Sequence, residues 1–269
     1  MAAPQLKVVA SVGKRAVIEI VGVSKTYRTR DGEVPSLRPI DFSVQDGEFV
    51  VVVGPSGCGK TTLLKMIAGL LAPSEGEIRV EGRVVTKPHA NVGIVFQSAL
   101  LLPWRNVLDN VLMPAEVKGL PLAEYRERAL ALLKMVGLEG FERKYPYQLS
   151  GGMQQRASIC RALVHDPKIV LMDEPFGALD AMTRERMNVE LQRIQRETKK
   201  TALLITHSIP EAVFLADRVL VMSERPGTIA AVYDVSLSRP RSLDVLSDPV
   251  FVQLTQTIRK HFDVQRDVG

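Results

Sequence analysis

The sequence is short of several things, and each shortage removes a class of protein. It has 2 cysteines, Cys58 and Cys160, in 269 residues. Two cannot build the bridged framework of a small secreted domain, so a reducing, cytoplasmic setting fits. No uninterrupted apolar run exceeds five residues, as in Phe49–Val53 or Ala212–Ala216. A membrane-spanning helix needs about 20, so the chain is not expected to cross a bilayer. The start, MAAPQLKVVASVGKRAV, lacks a basic segment followed by a long apolar one, and no secretory leader is expected. Neither sign of charge dominates: 35 basic and 30 acidic residues give +5. That mild surplus, spread along the chain, argues for neither nucleic acid nor a lipid surface. The glycines follow no collagen-like period, and no internal repeat is present.

What is present is close to a globular average, 46% hydrophobic and 24% charged. Residues 1–16 read as a flexible lead-in. Strand patterns come next, at Val17–Val21, Ile40–Val44 and Glu48–Val53. The last is apolar on both faces, as a buried parallel strand is. A helix is predicted over Thr61–Leu70, a hairpin over Gly76–Val80 and Arg83–Val85 around Glu81-Gly82, and a strand over Val92–Phe96. Residues 106–164 turn helical, most clearly at Ala123–Val136 and Met153–Leu163. Strands return at Ile169–Met172, Ala202–Thr206 and Arg218–Met222, with an amphipathic helix at Thr183–Lys200. This order predicts a parallel α/β core interrupted by a helical insertion. Prolines 226, 240 and 249 are expected to thin out regular structure, and residues 241–269 to add one helix at most.

GPSGCGKTT at 54–62 fits Gly-x4-Gly-Lys-Thr through Gly54, Gly59, Lys60 and Thr61. Pro55, Ser56, Gly57, Cys58 and Thr62 complete the loop. A strand runs in and a helix runs out. Glycines let backbone amides approach phosphate oxygens, and the helix N-terminus adds free N–H groups and a positive dipole end. Lys60 would neutralise the β- and γ-phosphates of ATP, and Thr61 would offer its hydroxyl to magnesium. Cys58 reads as a small tolerated residue. Ile169-Val170-Leu171-Met172-Asp173-Glu174 delivers two carboxylates to the C-terminal edge of the sheet, where α/β folds bind ligands. Asp173 can hold magnesium, and Glu174 can act as general base toward the attacking water. Asp173 lies 113 residues beyond Lys60 in sequence, so the fold must join them.

Leu149-Ser150-Gly151-Gly152-Met153-Gln154 lies between those two strings. A Ser-Gly-Gly turn before a helix presents a hydroxyl and amides, a second anion site without its own lysine. With these residues the chain resembles the ATP-binding cassette of ABC transporters, whose signature is LSGGQ; Met153 departs mildly at the fifth position. The resemblance covers roughly residues 17–235. It implies a RecA-like parallel-sheet core, an N-terminal antiparallel β part, a helical subdomain at about 98–164, and a short tail over 236–269. It implies that Tyr27 stacks on adenine and that Gln97 reaches magnesium and the attacking water. It makes His207 a γ-phosphate sensor, places Asp180 in a loop crossing a dimer interface, and has residues 149–154 act in trans on a partner's ATP. His89, His165 and His261 have no such place.

FQSALLLPWRNVLDNV (96–111), ERPGTI (224–229) and a Pro-Arg tail near 240 look like the nitrate, sulfonate and taurine importer branch. The resemblance therefore implies an ATP hydrolase energising an importer of a small anionic solute. Its expected partners are a second copy, integral permease subunits and, indirectly, a solute-binding protein. Nucleic acid is not expected. The expected place is the cytoplasmic face of the inner membrane, peripherally. Bicarbonate or a pyrimidine precursor as solute, export, a non-transport ABC ATPase and a P-loop metabolic kinase are the rival readings. Leu100-Leu101-Leu102-Pro103-Trp104 lies just beyond Gln97, and Trp104 is the chain's one tryptophan. Such an apolar stretch either packs into the helical insertion's own core or lines a groove where a helix of the membrane subunit docks.

Overall fold

A computed structural model describes residues 15–30, 32–177 and 179–263. The predicted lead-in falls outside the described residues up to position 14. The chain builds β1 (Ala16–Thr29), β2 (Gly32–Gln45), β3 (Phe49–Val53), α1 (Lys60–Ile67), β4 (Glu75–Val80), β5 (Arg83–Val84) and β6 (Val92–Val95). Three helices come after: α2 (Val107–Val117), α3 (Leu122–Met135) and α4 (Gly151–Leu163). Then come β7 (Ile169–Asp173), α5 (Ala181–Thr198), β8 (Thr201–Thr206), α6 (Ile209–Leu215), β9 (Arg218–Met222), β10 (Ile229–Asp234) and α7 (Pro249–Asp263).

Six strands form the main sheet in the order β10-β9-β3-β8-β7-β6, all parallel except the antiparallel edge strand β10. Along β3 the side chains alternate between two cores. Phe49, Val51 and Val53 join the cluster that contains the helical insertion and α5–α7. Val50 and Val52 join the cluster under α1 and the four-stranded antiparallel sheet β2-β1-β4-β5. Burial on both faces is why β3 reads as an unbroken apolar run. The hairpin turn sits at Glu81-Gly82, both at positive φ, as a two-residue turn of this hand requires.

The structure departs from the sequence pattern in several places, among them the unpredicted α6 and β10. β1 and β2 are each 14 residues long, far beyond the two short runs predicted. Their pairing contains repeated register shifts, which break the period-2 signal. α4 begins at Gly151 rather than Met153, because Ser150 is its N-cap and accepts a bond from Met153 N at 3.3 Å. Pro249 opens α7 instead of ending structure; proline is favoured at the first helical position, where its missing N–H costs nothing. The segment after 235 packs against the body of the protein: Val235, Phe251 and Ile258 belong to the large core cluster.

One residue fixes that segment. Arg241 is buried and donates to the carbonyls of Val213, Phe214 and Ala216 at the C-terminal end of α6. Its backbone N–H donates to Gln192 Oε1 on α5, and its carbonyl accepts from Gln192 Nε2. Burial first, then the charge of Arg239, pulls its pKa down to about 10. A cation at a helix C-terminus is placed where the dipole favours it.

Candidate functional site

Four neighbouring strands, β3, β8, β7 and β6, point the same way, so the loops leaving their C-terminal ends meet at one sheet edge. The phosphate loop leaves β3. Gly57 and Gly59 have φ of 77° and 103°, which only glycine adopts without strain. A Cβ on Gly59 would also lie 2.5 Å from Leu37 Cδ2. Gly59 starts α1 with no side-chain cap, so the first amides of that helix face outward as an anion site. Lys60 Nζ lies across the loop, donating to the carbonyls of Gly54 and Pro55 at 2.8 Å each. Cys58 is buried beneath it, and burial raises its thiol pKa. A buried thiol of raised pKa is inert packing. Tyr27, on β1, bonds through its hydroxyl to Thr62 Oγ1 at 3.2 Å. That brings the residue expected to stack on adenine to the helix that leaves the loop.

Asp173 ends β7 and is buried. Burial pushes its pKa up, the neighbouring Thr61 hydroxyl opposes the rise, and the charge of Glu174 adds to it. Thr61 and Asp173, named separately from sequence, are thus neighbours. They present oxygen donors only, the set magnesium prefers. Glu174 has φ of +45°. Such a conformation is costly for a residue with a side chain, and it persists where the surroundings hold it. Here its N–H is bonded to Ile205 O on β8 at 2.9 Å. The turn aims the carboxylate at two side chains from neighbouring strands. His207 Nδ1 lies 3.1 Å from Glu174 Oε2, and Gln97 Nε2 donates to the same oxygen at 3.4 Å. The three residues named catalytic from sequence converge on one carboxylate oxygen.

Asp180 caps α5, its carboxylate accepting from Thr183 N at 2.9 Å, and that bond holds its pKa down. Ser150 caps α4, and its first-turn amides carry no acidic side chain. α4 also grips the chain beyond Gln97. Gln155 Nε2 donates to Phe96 O, and the buried Arg161 donates to Ala99 O and Leu100 O. Asn110 on α2 is fully buried and closes the same segment with bonds to Leu102, Arg105 and Asn106. Between these anchors Leu101 packs against the core, while Leu100 and Trp104 are 58% and 70% exposed. The stretch is therefore divided, and Trp104 is not core. Sequence reasoning missed Gln155, Arg161 and Asn110, because their value lies in which carbonyls the fold brings to them.

The ABC transporter family profile matches residues 37–177. The chain belongs to the ABC transporter family. It is 51% identical over 224 residues to an uncharacterized ABC transporter ATP-binding protein of Methanocaldococcus jannaschii, covering 83% of this chain and 84% of that one. It is 42% identical over 250 residues to the taurine import ATP-binding protein TauB of Escherichia coli K12, covering 91% and 98%. It is 43% identical over 243 residues to the bicarbonate transport ATP-binding protein CmpD of Synechocystis, covering 89% and 86%. Among solved structures, the dimeric post-hydrolysis state of the ATP-binding cassette MJ0796 bound to ADP and phosphate superposes with a TM-score of 0.75 at 33% identity. That match covers 82% of this chain and all of the other. This ABC cassette is an ATP hydrolase. Among its described residues no helix is long and apolar enough to cross a membrane.

Proposed function

We propose that this ABC cassette is the ATP-hydrolysing subunit of an importer for a small anionic solute. Taurine import and bicarbonate transport are the activities named for its relatives, and both solutes carry an anionic group. Two copies bind head to tail, each ATP lying between Lys60 of one copy and Ser150 of the other. The observation that carries the catalytic reading is the meeting of Gln97, Glu174 and His207 on one carboxylate oxygen. Glu174 accepts the proton of the attacking water as general base. His207 and Gln97 hold its carboxylate in place and read the γ-phosphate. The loop amides and Lys60 hold the phosphates, and Tyr27 carries the adenine. Thr61, Asp173 and Gln97 would hold magnesium, which supplies neutralisation of the phosphate charge.

The subunit sits at the cytoplasmic face of the membrane by docking on permease subunits, which a solute-binding protein supplies. Exposed Trp104, pinned beyond Gln97 by Asn110 and Arg161, is the docking anchor; truncating such an aromatic typically costs about 2 kcal/mol or more. The test is ATPase activity of the subunit reconstituted with its permease and binding protein, with taurine, an alkanesulfonate, nitrate or bicarbonate added in turn. Stimulation by one of these anions supports the reading. Stimulation by none, with full activity on another class of solute, overturns it. Trp104→Ala should leave melting and ATP binding of the isolated subunit unchanged and reduce co-purification with the permease.

A further inference from the structure

His207 sits in a turn between β8 and α6, and that turn is held by a buried carboxyl group no motif pointed to. Glu211 lies on the first turn of α6 and is 6% exposed. Two bonds and one side-chain contact close around His207. Ser208 N donates to Thr206 Oγ1 at 3.0 Å. The Thr206 hydroxyl lies beside the Glu211 carboxyl group, lowering its pKa, and both residues line one small cavity. Glu211 N donates back to Ser208 Oγ at 3.4 Å. The residues on either side of His207 are thus tied through Glu211.

The second carboxyl oxygen, Oε1, is buried with no hydrogen-bond partner among the described residues. It faces a small cavity that Glu174, Arg184, His207 and Ser208 also line. At about 10 Å³ the cavity has room for roughly one water, so it is not a ligand site, and Glu211 acts on its protein neighbours. Arg184, on the helix that Asp180 caps, has its own Nε buried without a partner among the described residues and is a counter-charge to Glu211. A buried carboxyl oxygen without a hydrogen-bond partner is costly and calls for a function. Burial, the largest influence, raises its pKa, and Thr206, Arg184 and His207 oppose the rise.

We propose that Glu211 is a positioning residue for ATP hydrolysis, its carboxyl group bracing the Thr206–Ser208 turn so that His207 stays aimed at Glu174. This rests on the proposed role of His207 in hydrolysis. Removing the brace lets the turn move, and a small misplacement of an active-site group is enough to slow chemistry, while the phosphate loop that binds ATP is untouched.

The test is steady-state ATP hydrolysis by the intact subunit, with melting temperature recorded for each variant. Glu211→Ala should lower kcat at least tenfold with KM for ATP within about twofold of the parent. Glu211→Gln keeps the shape and an acceptor for Thr206, and should retain kcat within about threefold. Thr206→Val, which removes the hydroxyl, should reproduce the Glu211→Ala loss. In a His207→Ala background, Glu211→Ala should cause no further loss. Parent-like kcat in folded Glu211→Ala, with His207→Ala inactive, overturns this proposal alone. So does an equal additional loss in the His207→Ala background, which would mean that Glu211 acts independently of the histidine. A fully active His207→Ala variant would instead overturn the reading of His207. If Glu211→Ala fails to fold, Glu211→Gln and Thr206→Val carry the same comparison: loss in Thr206→Val with retention in Glu211→Gln supports the brace, and parent-like kcat in Thr206→Val overturns it.

Discussion

At the edge of the main sheet, four neighbouring strands bring Lys60, Asp173, Glu174, Gln97 and His207 to one place. At the start of α4, Ser150 stands on a helix N-terminus with no lysine and no carboxylate of its own. The first region holds a lysine over a glycine loop, oxygen donors and a carboxylate bonded by two partners, all that the proposed hydrolysis needs. The second offers a hydroxyl and first-turn amides, and among the described residues no bond or ion pair joins Ser150 to the first. An anion site without a counter-charge holds phosphate weakly. It becomes useful when something else brings the phosphate to it. That difference is the physical argument for the proposed head-to-tail pair, in which one region would bind ATP and the other would complete its site from across an interface.

The largest effects should separate binding from chemistry inside the complete region. Lys60→Ala should weaken ATP binding and abolish hydrolysis. Glu174→Gln keeps the size of the side chain and loses the base, so nucleotide binding should survive while hydrolysis falls about 10²-fold or more. An ATP-dependent dimer should then accumulate, read by size-exclusion chromatography with and without ATP. Normal hydrolysis by Glu174→Gln would remove it from the mechanism; loss of binding would make its role structural.

Ser150→Arg sharpens the comparison from the other side. The isolated subunit should bind ATP with parent affinity, because its own phosphate loop is intact. Hydrolysis should fall about 10²-fold, the usual cost of losing a phosphate-facing donor. Loss of the cap on α4 should cost about 1 kcal/mol of stability as well. Weakened ATP binding by the monomer would place Ser150 in the same protomer's site and break the comparison.

Both regions were legible in the sequence, while much of the fold around them was not. The phosphate loop, Asp173-Glu174 and Ser150-Gly151-Gly152 are local strings whose chemistry comes from spacing. β3, β7 and β8 were readable because both their faces are buried. By contrast β1 and β2 hide their length behind register shifts, and α6 is only seven residues long with a proline in its first turn. Glu211, Arg241 and Arg161 carry no sequence signal, since each acts on groups that only the fold brings to it. For Arg241 that means three carbonyls at the end of α6. Arg241→Ala should leave them without a donor and cost about 2–3 kcal/mol. Melting should drop by roughly 4–12 °C in a protein of this size. An unchanged melting temperature would show that the C-terminal segment does not support α6.

The smallest expected effect concerns the far end of the signature helix. His165 lies past the end of α4, two residues beyond its last helical position. Burial first, then the charges of Lys118, Lys200 and Arg128, push its pKa down to about 4. The folded protein therefore keeps this ring neutral where an unfolded chain, with a pKa near 6.5, would protonate it. Above pH 6.5 both states are neutral and the group adds no pH dependence. As pH falls from about 6.5 toward 4, the unfolded state binds the extra proton and stability drops. With the ring partly exposed, the loss is on the order of 2 kcal/mol by pH 4. Asp166 beside it behaves differently, because bonds from Lys200 and Arg128 hold its own pKa down. Its contribution is lost only as pH falls through a value below the ordinary one for aspartate. The two can be told apart by position: a fall in melting temperature centred between pH 6.5 and 4 belongs to His165, and one below that range to Asp166. His165→Gln should flatten the first window and leave the second. Because His165 follows the C-terminal end of α4, the helix that Ser150 caps, mild acid should reduce dimerisation before it reduces ATP binding by the isolated subunit. The reverse order would mean that the two regions are mechanically one.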